Sequence, residues 1–487
     1  MPSQRSPIVA PASVANSPQS FLTGRPALYL GARYALGVLI SLGNMFVLTW
    51  LIGPHTYGVF ITAITLTSVL ASLVRSGLDT YLVRCEKTPA RSDYDTASTA
   101  ILIFSGFAML AGSALIPLLT RWFHSSEFVP AYLVTMLTIP VAGVAGPVTA
   151  KLERALAFRA VAQIELTGQT LALLTGLTLA LHGRGIWSPV AGQLVWQLFS
   201  LLAAFRAARY VPRLRFERGP LRQMLAFGVG VTASQRTWQL RVLVNPLIVG
   251  HFASPEGVAF VGLAIRIAES LGFLRAAASR LAIASLSRIQ HDTELLRASL
   301  ASALRGQLLF LGPLLALFAI ASPLAIHRFL GDRWLPVQFI YPPVALAVLV
   351  NSIFNLQASA LFVVGRQWLV WRAFTLHILL LSAAALFLVP RAGLVGYGIA
   401  DVVACGAYPW LQAATRKSVG PMPRTLWVWI GALAAPLLVP YAKGFWRLVP
   451  CAIALLIAAC AVITERKNNR VQNALPAPKL KQVLIGA

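Results

Sequence analysis

The chain has 487 residues, 57 % of them hydrophobic and 11 % charged, with a mean hydropathy of +0.72. A soluble domain carries about 25 % charged residues, so lipid is the solvent for most of this chain and a large soluble catalytic domain has no room. The net charge of +26 comes mainly from arginines in short segments between apolar runs. That is the signature of membrane topology, and it excludes nucleic acid as a partner.

Residues 1–24 are polar, rich in Pro and Ser, and read as a disordered cytoplasmic tail. They lack the short apolar core and small-residue cleavage site of a signal peptide. Fourteen apolar segments follow, at 27–51, 57–77, 97–120, 129–149, 161–182, 187–207, 223–250, 258–284, 302–326, 338–362, 369–389, 392–414, 424–441 and 446–463. Most are near the roughly 20 residues that cross a bilayer. Residues 465–487 form a second cytoplasmic tail. With the N-terminus in the cytoplasm, 29 basic residues fall in cytoplasmic segments and 7 on the opposite side. This asymmetry sets the orientation, and the even span count returns the C-terminus to the cytoplasm. The cysteines (Cys85, Cys405, Cys451 and Cys460) show neither zinc-site nor disulfide-framework spacing.

The first span ends in Gly53-Pro54-His55-Thr56-Tyr57-Gly58-Val59-Phe60, and the seventh in Ser254-Pro255-Glu256-Gly257-Val258-Ala259-Phe260. The two prolines lie 201 residues apart. Each segment reads as a tight extracytoplasmic turn between the first two helices of a six-helix unit. Six is even, so both units enter from the same side, as a parallel repeat about an axis along the membrane normal. The expected fold is an all-α polytopic membrane protein of two six-helix bundles, 25–220 and 221–418, plus two accessory helices in 419–464.

A buried arginine costs about 2.5–3.5 kcal/mol even on the lenient insertion scale. Here Arg33 and Arg75 fall in helices 1 and 2, and Arg236, Arg241, Arg266 and Arg275 in helices 7 and 8. Arg75 follows Pro54 by 21 residues and Arg275 follows Pro255 by 20, a near-equal depth in the two halves. Arginine grips phosphate bidentately and stays charged at any pH. These six are therefore the candidate binding set for an anionic substrate, with a diphosphate as the simplest fit. Snorkelling to the cytoplasmic surface is the competing reading for Arg33 and Arg75. Glu269 lies three residues after Arg266 on the same helical face and is expected to pair with it. The interior acids Glu165, Glu269 and Asp401, with Asp79 at the end of helix 2, are candidates for a coupling proton or sodium, or for pairing with a neighbouring helix.

Other patterns read as structure. Asp93-Tyr94-Asp95 has metal-binding D-x-D spacing but stands just before helix 3, where helix N-capping accounts for it. The histidines make no metal-ligand pair on one helix, and no nucleophile elbow, Walker loop or dinucleotide fingerprint stands in its required context. No catalytic residue, metal site or cofactor is assigned. Trp50, Trp122, Trp187, Trp334 and Trp446 lie near expected interfaces and read as membrane belts.

Six motifs occur in order along 25–415. They are Leu51-Ile52-Gly53-Pro54-His55-Thr56-Tyr57-Gly58; Gly77-Leu78-Asp79-Thr80-Tyr81-Leu82-Val83-Arg84; Lys151-Leu152-Glu153-Arg154-Ala155-Leu156-Ala157-Phe158-Arg159; Phe227-Gly228; Ser285-Leu286-Ser287-Arg288-Ile289-Gln290; and Leu330-Gly331-Asp332-Arg333-Trp334. Together they resemble the bacterial polysaccharide (O-antigen type) flippases of the multidrug/oligosaccharidyl-lipid/polysaccharide exporter superfamily. The resemblance implies an inner-membrane transporter that moves undecaprenyl-diphosphate-linked oligosaccharide to the periplasmic leaflet by alternating access. The sugar would ride in a central cavity, the lipid tail between the lobes, and the arginines against the diphosphate. Proton or sodium coupling through the interior acids, and contact with other polysaccharide assembly proteins, are further expectations. Relatives often carry an Asp near the end of helix 7, where this chain has Asn245-Pro246. A peptidoglycan-precursor exporter of the same fold is an open alternative, since its substrate carries the same diphosphate. A multidrug exporter fits less well, because it would want acids rather than arginines in its cavity. A polytopic glycan polymerase or ligase would use a long extracytoplasmic loop, and the longest expected here, 327–337, is short.

Overall fold

The structure is a computed structural model that describes residues 25–472 apart from 86, 124, 273–291, 424, 443–445 and 447. The helices of the first half are α1 (Arg25–Arg75), α2 (Leu78–Arg84), α3 (Arg91–Ala114), α4 (Ile116–Phe123), α5 (Phe128–Met136), α6 (Thr138–Arg154), α7 (Phe158–Leu181) and α8 (Trp187–Ala208). The second half has α9 (Arg218–Leu240), α10 (Gly250–Phe252), α11 (Pro255–Leu271), α12 (Thr293–Leu330), α13 (Val337–Val363), α14 (Gln367–Ala404) and α15 (Tyr408–Ser418). α16 (Thr425–Ala434) and α17 (Leu448–Gln472) close the chain. Among the described residues, eight stretches are long and apolar enough to cross a membrane, and shorter apolar helices follow at Thr425–Tyr441 and Leu448–Ala459. The protein is an all-α, multi-pass membrane protein, as composition requires.

Local chemistry sets the breaks. α1 is two passes joined at Gly53, where φ is 78° and ψ is 170°, a conformation open to glycine. Pro54 then starts the second pass, where a missing N–H is harmless. The matching position 201 residues on is Ser254, with φ 120° and ψ 167°, followed by Pro255 at the start of α11. The repeat is thus written in the backbone, although a serine carries the second strained turn. α14 bends in the same way at Gly393, with φ 60°. α12 begins at Thr293, earlier than the expected 302. The Asp292 side chain caps it, accepting the Leu295 N–H at 3.0 Å, and the polar first turn hides this start from a hydropathy reading.

The buried side chains form two separate apolar clusters. One gathers residues such as Leu78, Ile101, Phe128, Tyr132 and Ile139 from the first half. The other is drawn from Val244 to Leu437 together with Tyr57 of α1, and takes in Leu426 and Trp429, so the chain after 419 packs onto the second bundle. Trp334 departs from the belt expectation. It is 1 % exposed and lies edge-on to Tyr57 and Phe260, filling core at a tight turn. Trp50 and Trp446 are exposed. Asp93 accepts the Ala90 N–H at 2.8 Å and caps α3 as expected. Asp95 does something else: buried, it accepts the Tyr210 hydroxyl at 2.5 Å and the Arg213 N–H at 2.9 Å, which ties the loop after α8 to α3.

Candidate functional site

The two bundles touch at both ends of the seam between them. At the end bearing the Gly53 and Ser254 turns, α1 crosses α11 closely. A Cβ on Gly58 would fall on the Pro255 carbonyl, so only glycine permits the approach. Beside it His55 Nδ1 lies 2.7 Å from Glu256 Oε1. These are repeat-equivalent positions, 201 residues apart, and they meet because they sit beside the axis relating the halves. Burial pushes the Glu256 carboxyl up, but hydrogen bonds from Ser254, its own backbone N–H and His55 outweigh that and hold it below the usual range. At the opposite end a Cβ on Gly228 would meet the Ser76 carbonyl, and Tyr81 stacks edge-on against Phe227 at 5.5 Å.

Between these contacts lie two adjoining cavities that share Ile64, Ser68 and Gln193 in their walls. The larger, about 710 Å³, is built by the first bundle and is lined by Arg75, Asp79, Arg84, Glu153 and Gln197 among others. The smaller, about 380 Å³, lies between the bundles: Gln169 and Trp196 face it from one side, Gln239 and Arg266 from the other. Packing of α7 on α8 shapes this wall. Gly168, Ala172 and Gly176 recur on one face of α7, and a Cβ on Gly192 would come within 2.8 Å of the Ala172 carbonyl oxygen, so the helices touch through small residues.

The structure sorts the expected residues. Arg75 and Asp79 line the larger cavity and Arg266 the smaller. No ion pair to Arg75 or Arg266 forms among the described residues, and Arg75 Nε is buried without a partner. Arg236, on α9, reaches across the seam and donates from Nη1 to Ser72 Oγ at 2.8 Å, within electrostatic range of Asp79 and Arg75. Arg241 is placed differently. It is buried, in the short turn after α9, with Nη2 at 2.8 Å from Asp401 Oδ2 and Nη1 at 3.7 Å from Glu269 Oε1. Trp238 covers its guanidinium at 5.2 Å. So Glu269 reaches Arg241 rather than the expected Arg266; the turn after α9 brings a second guanidinium to the helix, which spacing along α11 alone could not reveal. Asp401 also faces His377 Nε2 at 3.8 Å, while His377 Nδ1 is 3.1 Å from the Ala404 carbonyl oxygen. Glu165 is exposed on α7, away from the lining of both cavities. Arg275 lies outside the described residues, as does the side chain of Arg33. Asn245 is buried and donates to the Val258 carbonyl at 3.2 Å. Sequence reading missed Arg84, Gln169, Gln193, Gln239 and His377; polar residues scattered through apolar helices were the available signal.

The sequence profile of a family described as "Polysaccharide biosynthesis protein" matches residues 47–338. The chain is 23 % identical over 446 residues to the succinoglycan biosynthesis transport protein ExoT of Rhizobium meliloti (strain 1021), covering 85 % of this chain and 86 % of that one. Among solved structures it resembles the lipid II flippase MurJ in an inward closed conformation, with TM-score 0.70, 16 % identity, and coverage of 91 % of this chain and 99 % of that one. It also resembles an inward-facing multidrug resistance MATE family transporter of the MOP superfamily, with TM-score 0.58, 14 % identity, and coverage of 78 % and 95 %. These two likenesses establish the fold, and the profile match over more than half of the chain establishes the family: the chain belongs to the polysaccharide biosynthesis protein family.

Proposed function

We propose that the chain is a flippase that moves polyprenyl-diphosphate-linked oligosaccharide across the bacterial inner membrane by alternating access, with both termini in the cytoplasm. It is read as a transporter and not as an enzyme. The observation that carries this reading is the pair of arginines, Arg75 in the cavity of the first bundle and Arg266 in the adjoining cavity between the bundles, with no acid pairing either among the described residues. A cation lining a cavity inside a membrane protein calls for an anionic partner, and a diphosphate suits the guanidinium fork. Arg84, Arg75 and Arg236 would receive the diphosphate near the cytoplasmic end, and Arg266 would hold it farther along. Arg241 is left out of this set, because Asp401 already neutralises it; Asp401 and Glu269 act as its charge partners rather than as carriers of a coupling ion. Family membership and the likeness to a transport protein for succinoglycan support an oligosaccharide cargo. The likeness to a lipid II flippase keeps a peptidoglycan precursor as the second reading, since both cargoes share the diphosphate.

The test compares binding of undecaprenyl diphosphate and undecaprenol to the purified full chain in nanodiscs. The intact chain should prefer the diphosphate, and Arg266→Gln should weaken diphosphate binding by roughly 10- to 100-fold, the worth of a charge-assisted hydrogen bond. Equal binding of the two lipids by the intact chain would refute the reading.

A further inference from the structure

We propose that Gln169, Gln193 and Gln239, with the Trp196 ring beside them, are the saccharide-reading face of the cavity, rested on the transport reading above. The three carboxamides come from three helices, α7, α8 and α9, and so from both bundles, yet all line the smaller cavity with Arg266. Among the described residues, Arg266 is the one charged side chain of that lining. A site built for a cation would hold carboxylates or a set of π faces without a guanidinium. A site of amides around one arginine suits a ligand rich in hydroxyls and joined to an anion. Each carboxamide offers two donors and one acceptor oxygen, which matches the mixed donor and acceptor character of sugar hydroxyls.

Two further observations point the same way. Gln169 Oε1 is buried and has no hydrogen-bond partner among the described residues. Buried polar atoms in folded proteins are nearly always satisfied, so this oxygen is placed for a donor brought by the ligand. Trp196 is held in position by a glycine: a Cβ on Gly168 would lie 2.6 Å from Trp196 Cδ1, so the ring lies against α7 where any larger residue would displace it. An indole face carries negative quadrupolar charge and receives the C–H face of a pyranose. Gln193 also lines the larger cavity, and Gln197 follows it one turn on along α8. The amide face therefore contributes to both cavities, with Arg75 in one lining and Arg266 in the other.

The experiment measures equilibrium binding to the full chain in nanodiscs with two probes: the lipid-linked glycan pool extracted from cells lacking this chain, and undecaprenyl diphosphate without sugar. The intact chain should bind the glycosylated lipid more tightly. Gln193→Ala with Gln239→Ala should reduce that preference roughly tenfold, the effect of two lost neutral hydrogen bonds, and leave undecaprenyl diphosphate binding unchanged. Gln239→Asn keeps the amide but shortens its reach; it should fold as the intact chain does and lose part of the preference. Full preference retained by both variants overturns the saccharide-reading role. Equal binding of both probes by the intact chain also overturns it, while the diphosphate reading stands. Binding of neither probe overturns the transport reading beneath it.

Discussion

Removing one member of the buried Arg241–Asp401 pair should destabilise the second bundle far more than removing both. Side-chain exposure is 11 % for Arg241 and 1 % for Asp401, and the contact is 2.8 Å. Breaking a buried pair costs about 3–5 kcal/mol, because the remaining charge loses its partner, whereas an apolar replacement of both is near neutral or better. The surroundings set where in that range each variant falls. In Asp401→Leu the guanidinium keeps Glu269 at 3.7 Å, but that carboxylate is 44 % exposed and screened, so the loss should sit near 3 kcal/mol. In Arg241→Met the carboxylate keeps, among the described residues, only His377 at 3.8 Å as an ion-pair neighbour, and the loss should be about 4 kcal/mol. The double variant should return to within about 1 kcal/mol of the intact chain. A double-mutant cycle on unfolding free energies in mixed detergent–SDS micelles measures this directly. Distant, independent sites add within about 0.5 kcal/mol, so additivity here would refute the pair. A stable double variant that no longer transports would refute the assignment of Arg241 to structure.

Three other outcomes follow from local geometry. Gly58→Ala has no space beneath the Pro255 carbonyl and should part the bundles at that end; a short bismaleimide joining Cys at 55 and 256 in a cysteine-free chain should then form at much reduced yield. Asp95→Asn weakens two charge-assisted bonds to Tyr210 and Arg213 and should cost about 1–3 kcal/mol, seen as a lowered unfolding midpoint that Tyr210→Phe reproduces in part. The folded Glu256 carboxyl lies below its ordinary value of 4.5, so its stabilising effect is present above that pH and fades as pH falls through the lower folded value; the Tm difference between the intact chain and Glu256→Gln should be present at neutral pH and vanish in that acid window.

The membrane architecture was legible in composition and in the spacing of basic residues, because bilayer thickness and topology act on every span alike. The repeat was legible in Pro54 and Pro255, and the structure adds matching backbone angles at Gly53 and Ser254. What a single helix shows stayed readable: Arg75 and Arg266 belong to helices whose faces turn to the seam. What depends on two or more helices did not. Arg241 and Asp401 are 160 residues apart, and periodicity carries no sign that they meet. The same holds for Gln169, Gln193 and Gln239, which are unremarkable on their own helices and become a site only where the bundles converge.

The most direct test of the account is transfer of lipid-linked glycan between leaflets of proteoliposomes, with the glycan pool taken from cells lacking this chain. The intact protein should transfer it, the Arg241→Met/Asp401→Leu double variant should keep most of that rate, and Arg75→Ala and Arg266→Ala should each lose at least tenfold, the scale of a lost charge-assisted contact. Robust transfer by both cavity variants, or none by the folded intact chain, would contradict it.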